Sequence, residues 1–259
     1  MNKLIARAAL ALSIFLSACG RLDSEIVEYQ GRDVEIVDAG DGRTTVVFEA
    51  GLGDGWDRWN RVASEVSENT RVFAYSRPGY GDSDPTTAPR DPAHIVEDLH
   101  GLLAQQEIAP PYILVGHSNG GAYMELFARQ HADEVAGLVL VDTRPADFLE
   151  ECEDRGLDQC GVPAAVLAKE SDVFRAEYEG FAAASEQMND AGALGDYPVR
   201  VLTATRLNGV SRARMDLKVS MQREIADEAE DGEQTLLDAG HYLQRWRARK
   251  VTKAIRALL

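Results

Sequence analysis

Ser118 has the strongest chemical signal in this sequence, because it lies at the centre of the pentapeptide Gly-His-Ser-Asn-Gly, residues 116–120. An apolar run precedes the pentapeptide and a segment with helical spacing follows it. Glycines two residues to either side of a serine let neighbouring backbone approach where a Cβ would clash. The pattern therefore predicts a sharp turn between a strand and a helix, with an exposed hydroxyl that could act as a nucleophile.

A serine hydroxyl is nearly inert at neutral pH, so this chemistry requires a base within hydrogen-bond reach, and histidine has the matching pKa. The sequence offers five histidines. His117 is inside the pentapeptide and is expected to pack beside the serine rather than act as the base. His94, His100 and His131 fall on predicted helices, and we interpret them as solvated or capping residues. His241 follows the last predicted strand.

The elements that must position these residues alternate along the chain. Apolar runs and turn signals predict strands at 25–30, 33–37, 44–48, 71–75, 112–115, 136–141, 199–203 and 234–237. Helical spacing predicts helices at 92–107, 119–131 and 217–229, and one from about 247. After an antiparallel start, this alternation implies a mostly parallel sheet with helices on both faces.

Composition limits the class of protein. The 259 residues suffice for one large domain, and a hydrophobic fraction of 45% is ordinary for a globular chain. Aspartate and glutamate number 43 against 27 lysines and arginines, so the formal net charge is −16. Without a basic stretch to neutralise phosphates, a nucleic-acid partner is not expected.

The first 18 residues are predicted to be a signal peptide. Lys3 and Arg7 supply a positive start, and residues 8–16 supply an apolar stretch that is too short to be a permanent membrane-spanning helix. This pattern indicates export from the cytoplasm.

The end of the leader, Leu-Ser-Ala-Cys at 16–19, resembles the lipobox of bacterial lipoproteins. The resemblance implies that Cys19 becomes lipidated and that residues 19–25 form a tether to the membrane. Gly20, where an aspartate would favour the inner membrane, favours the outer membrane with the protein facing the periplasm. The alternative is a plain secretory signal that leaves Cys19 free.

Two cysteines remain, Cys152 and Cys160. Export would place them in an oxidising compartment, where such a pair can form a disulfide. Two free buried thiols are the alternative. Neither cysteine has metal-ligating neighbours in sequence, and no metal site is predicted.

Four sequence blocks together resemble the α/β-hydrolase fold superfamily. They are Phe-Glu-Ala-Gly-Leu-Gly at 48–53, Ser-Arg-Pro-Gly-Tyr-Gly-Asp-Ser at 76–83, the serine pentapeptide, and Ala-Gly-His-Tyr at 239–242. The resemblance implies a domain over 26–259, with an eight-stranded, mostly parallel sheet and a helical cap inserted after strand 6, at about 143–198. Ser76 stands where this family usually has an aspartate.

The resemblance also implies a catalytic triad. Ser118 would be the nucleophile and His241 its base, and Asp142, directly after the sixth strand, would be the acid that orients the histidine. The more common position for the acid, after the seventh strand, holds no carboxylate here. Asp216 is the fallback, and Asp142 could instead be structural. The oxyanion hole would consist of the backbone N–H groups of Leu52 and Asn119.

The remaining expectations concern the substrate pocket. Trp56 and Trp59 follow the first family block and either line the acyl pocket or pack as core aromatics. The cap is expected to decide the choice of substrate. Its acidic residues would disfavour anionic substrates unless they form only a solvated face; they are Glu150, Glu151, Glu153 and Asp154.

The resulting hypothesis is a serine hydrolase that cleaves a small or medium carboxylic ester through an acyl-enzyme on Ser118, without metal or organic cofactor. Two alternatives stay open. One is an amide or peptide hydrolase that resembles iminopeptidases, which acidic groups placed to hold a substrate amine would mark. The other is a catalytically silent member of the same fold that acts as a binding protein in the cell envelope.

Overall fold

The computed structural model describes residues 21–259, so the predicted signal peptide and Cys19 lie outside the described residues. Over the described range, no helix combines the length and the apolar character that crossing a membrane requires. The first strand begins at Glu25, and before it the carbonyl of Leu22 accepts a hydrogen bond of 3.2 Å from the Asn60 side chain. The described part of the predicted tether therefore lies against the domain.

Eight strands form a single sheet. They are β1 (Glu25–Tyr29), β2 (Arg32–Ala39), β3 (Thr45–Glu49), β4 (Arg71–Tyr75), β5 (Tyr112–His117), β6 (Val135–Val141), β7 (Val199–Ala204) and β8 (Gly232–Leu237). Their spatial order is β1-β2-β4-β3-β5-β6-β7-β8. The β1–β2 and β2–β4 pairs are antiparallel, and every later pair is parallel. The predicted fold class, a mostly parallel eight-stranded sheet, is confirmed.

Ten α-helices occur in the described range. They are α1 (Asn60–Ser67), α2 (Pro92–Gln105), α3 (Asn119–Gln130), α4 (Phe148–Asp154), α5 (Ala164–Leu167), α6 (Asp172–Gly180), α7 (Ala184–Ala191), α8 (Arg212–Glu228), α9 (Leu243–Trp246) and α10 (Ala248–Arg256). Short 3₁₀ turns lie at Trp56–Trp59, Ala132–Glu134 and Phe181–Ala183. Helix α8 begins at Arg212 rather than at the predicted Leu217, because the Ser211 hydroxyl accepts a hydrogen bond from the Arg214 amide and caps the first turn.

Both faces of the sheet are buried. Alternate residues of the central strands belong to two separate apolar clusters: Val47 and Leu114 lie in one with α2 and α3, while Val46 and Ile113 lie in the other with α1 and α10. Burial on both faces is why these strands read as continuous apolar runs rather than as alternating ones. The core thus fixes the carboxyl ends of β3, β5 and β6 as one rigid edge.

The chain between β6 and β7 forms the expected helical insertion, with α4 to α7. Phe148 and Cys152 of α4 pack against Leu217 and Met221 of α8 in a small apolar cluster of their own. Cys152 and Cys160 are joined by a disulfide, as predicted. The insertion covers the edge of the sheet where Ser118 lies, and we refer to it as the cap.

Candidate active site

Ser118 occupies the turn between β5 and α3. Its φ is +55° and its ψ is −124°, a strained conformation for a residue with a side chain. The neighbouring glycines are sterically required. A Cβ on Gly116 would lie 2.3 Å from the carbonyl oxygen of Gly120, and a Cβ on Gly120 would lie 2.3 Å from that of Ala50. The backbone therefore has the sharp turn that the pentapeptide predicts.

Asp142 and His241 are hydrogen-bonded to each other. Asp142 follows β6, has a φ of +45° and is 1% exposed. Its Oδ2 lies 2.7 Å from His241 Nδ1. Because an ionised carboxylate can only accept, Nδ1 carries the proton, and Nε2 of the neutral ring is left as an acceptor. This is the tautomer that a base facing a serine hydroxyl needs.

The other oxygen of Asp142 is held by groups that no sequence motif indicates. Oδ1 accepts hydrogen bonds from the Ala204 amide at 2.9 Å and from Lys218 Nζ at 2.8 Å. Burial alone would raise the pKa of Asp142, but its hydrogen bond with His241 and the charge of Lys218 outweigh burial and lower the pKa to about 2. Asp142 is therefore ionised at neutral pH.

His117 packs beside His241, as expected. The two ring centroids are 4.5 Å apart, and His117 Nε2 lies 3.2 Å from the backbone carbonyl of His241. A carbonyl can only accept, so Nε2 is the protonated nitrogen. Burial lowers the pKa of His117 well below its usual value, so the ring is neutral. His117 thus holds the backbone that carries His241.

Ser118 and His241 line one cavity of about 500 Å³ at the carboxyl edge of the sheet. Leu52, from the loop after β3, and Asn119, the first residue of α3, line the same cavity. The amide groups in the first turn of a helix have no partner within the helix, and the helix dipole favours negative charge there. The structure thus brings all the predicted triad and oxyanion residues to one place, and their roles stay predictions.

The wall of this cavity differs from the expected acidic rim. Its side chains come from the cap and from α8 with the loop before it, and they are mostly apolar or basic; they include Arg144, Pro145, Phe148, Val162, Pro163, Tyr178, Leu207, Val210, Arg214 and Met215. None of the four acidic residues expected at the rim lines the cavity. The expectation that they would disfavour anionic substrates is wrong, because α4 turns them away from the cavity.

The two tryptophans pack in the core rather than in the cavity. Trp59 is fully buried, with its ring centroid 5.1 Å from that of Phe48. Trp56 donates from Nε1 to Glu35 at 2.8 Å, and Ser76 donates from Oγ to the other oxygen of the same carboxylate at 2.8 Å. The interpretation as packing aromatics is therefore the correct one. Ser76, the departure from the family pattern, has a structural partner.

Asp216, the fallback acid, is exposed on α8 and does not line the cavity. From this part of α8, Met215 and Lys218 line the cavity instead. Of the two acids that the sequence left open, only Asp142 contacts the histidine.

A buried ion-pair network joins the cap to the loop that carries Leu52. Arg77 bridges Glu49, at the end of β3, and Glu177, on α6, and these three side chains are at most 1% exposed. Arg90 also binds Glu177, at 2.6 Å. Arg77 donates further to the carbonyls of Ala50 at 2.8 Å and Gly51 at 2.7 Å, directly before Leu52. The network therefore fixes the loop of the predicted oxyanion hole.

The other histidines lie away from the cavity. His94 contacts Asp91, the N-cap residue of α2, at 2.6 Å. His100 contacts the Glu134 carboxylate at 3.1 Å and stacks on His131, and these three residues are the set within 21–259 whose donor atoms could together hold a metal ion. They lie at the opposite edge of the sheet, where β6 begins, and take no part in the cavity.

Comparison with known proteins agrees with the fold. Residues 44–159 match the family model described as alpha/beta hydrolase fold. The chain is 32% identical over 108 residues to an uncharacterized protein of Bacillus subtilis, YqjL. The matched segment covers 42% of this chain and 43% of that protein. The matches to three further curated relatives cover only 17%, 15% and 37% of the length of those proteins.

A longer match is to "Putative carbamate hydrolase RutD" of Caulobacter vibrioides, at 25% identity over 184 residues, 69% of this chain and 68% of that protein. Among solved structures, the enol-lactonase of Burkholderia xenovorans LB400 superposes with a TM-score of 0.62 at 20% identity, over 90% of this chain and 99% of that one. A likeness at this identity shows the fold alone. The chain has the α/β-hydrolase fold, and its residues 44–159 resemble the family that the matching model describes.

Proposed function

We propose that this protein is a serine hydrolase that cleaves small or medium carboxylic esters. The observation that carries the proposal is the contact of 2.7 Å between Asp142 and His241, in the same cavity as Ser118 on its strained turn. The cavity volume of about 500 Å³ suits a substrate of that size. The similarity to a relative named as a putative carbamate hydrolase supports the reaction class.

The proposed mechanism uses two steps. Ser118 Oγ attacks the ester carbonyl carbon, His241 Nε2 takes the hydroxyl proton, and the amides of Leu52 and Asn119 stabilise the oxyanion. The proton then passes to the leaving alcohol as the acyl-enzyme forms. A water molecule attacks the acyl-enzyme, with His241 again as base, and the acid is released as Ser118 regains its proton. Asp142 stays ionised and stabilises the imidazolium.

An amine-recognising peptide hydrolase is less well supported by the cavity. Such an enzyme needs a carboxylate that is available to a substrate ammonium group. Among the lining residues of the described chain, Asp142 is the sole carboxylate, and His241, Lys218 and the Ala204 amide already occupy it. The ester therefore remains the preferred substrate.

The test is hydrolysis of a p-nitrophenyl ester series, from acetate to dodecanoate, together with labelling by a fluorophosphonate. Ser118→Ala should abolish both readouts. Asp142→Asn should lower kcat by about 10⁴-fold, the size of effect seen when a triad acid loses its charge. Asp216→Asn is the matched control, since this exposed carboxylate does not contact His241 and its loss should leave kcat within about twofold of the wild type.

Three outcomes separate the hypotheses. Full activity in Ser118→Ala would rule out the serine mechanism. A loss in Asp216→Asn but not in Asp142→Asn would transfer the acid role to Asp216. A wild-type protein that neither turns over esters nor reacts with the fluorophosphonate would favour the catalytically silent binding protein.

We also propose that Cys19 carries the lipid anchor and that the domain faces the periplasm at the outer membrane. The support is the leader pattern of residues 1–19, which lies outside the described structure. The check is incorporation of radioactive palmitate and partition into the detergent phase, by the wild type and by Cys19→Ser. Equal labelling of the two proteins would contradict lipidation of Cys19.

A further inference from the structure

Two arginines on the cavity wall have no carboxylate partner in the described part of the chain. Arg144 is the second residue after Asp142, and its backbone amide donates to the carbonyl of Ser118 at 3.0 Å. Arg214 lies in the first turn of α8, across the same cavity. Within residues 21–259 neither guanidinium forms a salt bridge, and Arg214 Nε is buried without any hydrogen-bond partner.

Aromatic rings support both guanidinium groups from one side. The Arg144 guanidinium lies 4.3 Å from the ring centroid of Phe181 and 5.7 Å from that of Tyr178. That of Arg214 lies 5.4 Å from the ring of Phe148. All three aromatic residues belong to the cap. Such stacking orients a guanidinium, but it leaves its N–H donors available for an oxyanion.

The positions of the two arginines are electrostatically unfavourable in the empty cavity. Burial lowers the pKa of Arg144, and the positive charge of Arg214 lowers it further. Burial also lowers the pKa of Arg214. Both groups stay charged at neutral pH, since the arginine guanidinium is not deprotonated in proteins. Two partly desolvated like charges without a counter-ion are costly unless an anion completes the site.

The charge of the cavity lining is opposite in sign to the net charge of the chain. The sequence carries a net charge of −16, yet the lining holds two unpaired arginines and no available carboxylate. An abundance of surface carboxylates would make pairing of these arginines easy if they were only structural. Their isolation beside Ser118 therefore indicates a substrate that supplies the negative charge.

We propose that the substrate of this cavity carries an oxyanion group, a carboxylate or a phosphate, which Arg144 and Arg214 bind while Ser118 attacks the ester. The proposal rests on the proposed esterase function and specifies its substrate class. The guanidinium forks match the geometry of both oxyanions. Arg144 sets the distance between the anionic group and the scissile bond, because its backbone is hydrogen-bonded to that of Ser118.

The experiment compares two p-nitrophenyl esters of equal length, the monoester of glutaric acid and that of its uncharged amide, glutaramic acid. The wild type should prefer the anionic ester by at least about tenfold in kcat/KM, as expected for charge-assisted hydrogen bonds. In the double variant Arg144→Gln, Arg214→Gln, this preference should fall to about one, with the larger loss of kcat/KM on the anionic ester. Competition by glutarate and by glycerol 3-phosphate then distinguishes a carboxylate from a phosphate.

Arg155→Gln is the matched control. Arg155 is an exposed cap arginine that pairs with Glu151 at 2.8 Å and does not line the cavity. This substitution removes one of the two positive charges that the double variant removes, so a general effect of charge on the encounter with an anionic ester will appear in this control at about half its size. The preference for the anionic ester should stay within about twofold of the wild type.

Failure of this inference and failure of the proposed function give different results. If the wild type hydrolyses both esters at equal rates, or if the double variant keeps the preference, the anion site is wrong and the esterase stands. If neither ester is hydrolysed and no fluorophosphonate label appears, the esterase is wrong. Calorimetric titration with glutarate then decides the anion site: binding lost in the double variant supports it, and no binding to the wild type overturns it.

Discussion

Arg77 and Arg144 both lie between the sheet and the cap, but their surroundings are opposite. Arg77 is 1% exposed and contacts two carboxylates, those of Glu49 and Glu177, and two backbone carbonyls. Arg144 contacts two aromatic rings and no carboxylate within residues 21–259. Burial alone would lower the pKa of Arg77, but the charges of Glu177 and Glu49 outweigh it and raise that pKa well above its ordinary value. Burial lowers the pKa of Arg144.

The surroundings of Arg77 are those of a charge that stabilises the fold, and the surroundings of Arg144 are those of a charge that binds a ligand. A buried ion pair with all donors and acceptors matched is sensitive to the loss of either partner, because the remaining charge is left desolvated. An unpaired, partly buried charge already bears that cost, so its removal should be tolerated by the fold. Residues kept in such positions are expected at binding sites rather than in the core.

Loss of Glu177 should give the largest effect on stability. Glu177→Gln removes the shared partner of Arg77 and Arg90 and should lower the free energy of unfolding by about 3–5 kcal/mol. Urea denaturation measures the change. Glu179→Gln on the same helix is the control, since Glu179 is exposed and its replacement should alter stability by no more than about 0.5 kcal/mol. If the two variants lost equal free energy of unfolding, the buried ion pairs of Glu177 would contribute no more to stability than a solvated carboxylate does.

Asp142 extends the comparison to a carboxylate inside the cavity that is fully paired. Its pKa of about 2 lies below the ordinary 3.8, so the folded state favours the ionised form. That contribution is complete above about pH 4 and is lost as the pH falls towards 2. It amounts to about 2 kcal/mol. The stability difference between the wild type and Asp142→Asn should therefore shrink by that amount as denaturation is repeated at falling pH; a constant difference would contradict it.

His117 is a third kind of buried titratable group, because it is neutral in the folded protein. Its pKa is lowered in the folded state, so the unfolded chain binds a proton below pH 6.5 that the folded chain does not. Stability should consequently fall as the pH drops. Relative to His117→Asn, the wild type should lose about 1 kcal/mol between pH 6.5 and 5.5.

The parts of this molecule that could be predicted from sequence are those whose signal is local. The strands of the core appear as apolar runs because both faces are buried, and the turn at Ser118 appears as glycines at fixed spacing. Asp142 and His241 could be located because Asp142 directly follows β6 and His241 lies in the turn after β8, and parallel strands end at one edge. The predicted start of helix α8 at Leu217 is too late, because the spacing of apolar residues does not indicate the N-cap at Ser211.

The long-range pairings could not be predicted. Arg77 and Glu177 are separated by 100 positions, and nothing local distinguishes a buried arginine from a solvated one. In the sequence, Lys218, Arg144 and Arg214 look like ordinary polar residues of helices and loops. They line one cavity only because the folded chain brings the cap next to α8. For the same reason, the acidic residues of α4 suggested the wrong sign for the pocket.

The smallest expected effect is also the most direct test of the comparison. Arg144→Gln and Arg214→Gln should each leave the free energy of unfolding within about 0.5 kcal/mol of the wild type, because relief of a desolvated charge offsets the lost aromatic contact. Arg77→Gln, with the same chemical change, should cost about 3–5 kcal/mol because it leaves Glu49 buried without a cationic partner and Glu177 with Arg90 alone. Parallel urea titrations measure all three variants. A loss above about 2 kcal/mol for Arg144 or Arg214 would mean that its guanidinium supports the fold, and the isolation of these arginines would then no longer argue for an anionic substrate.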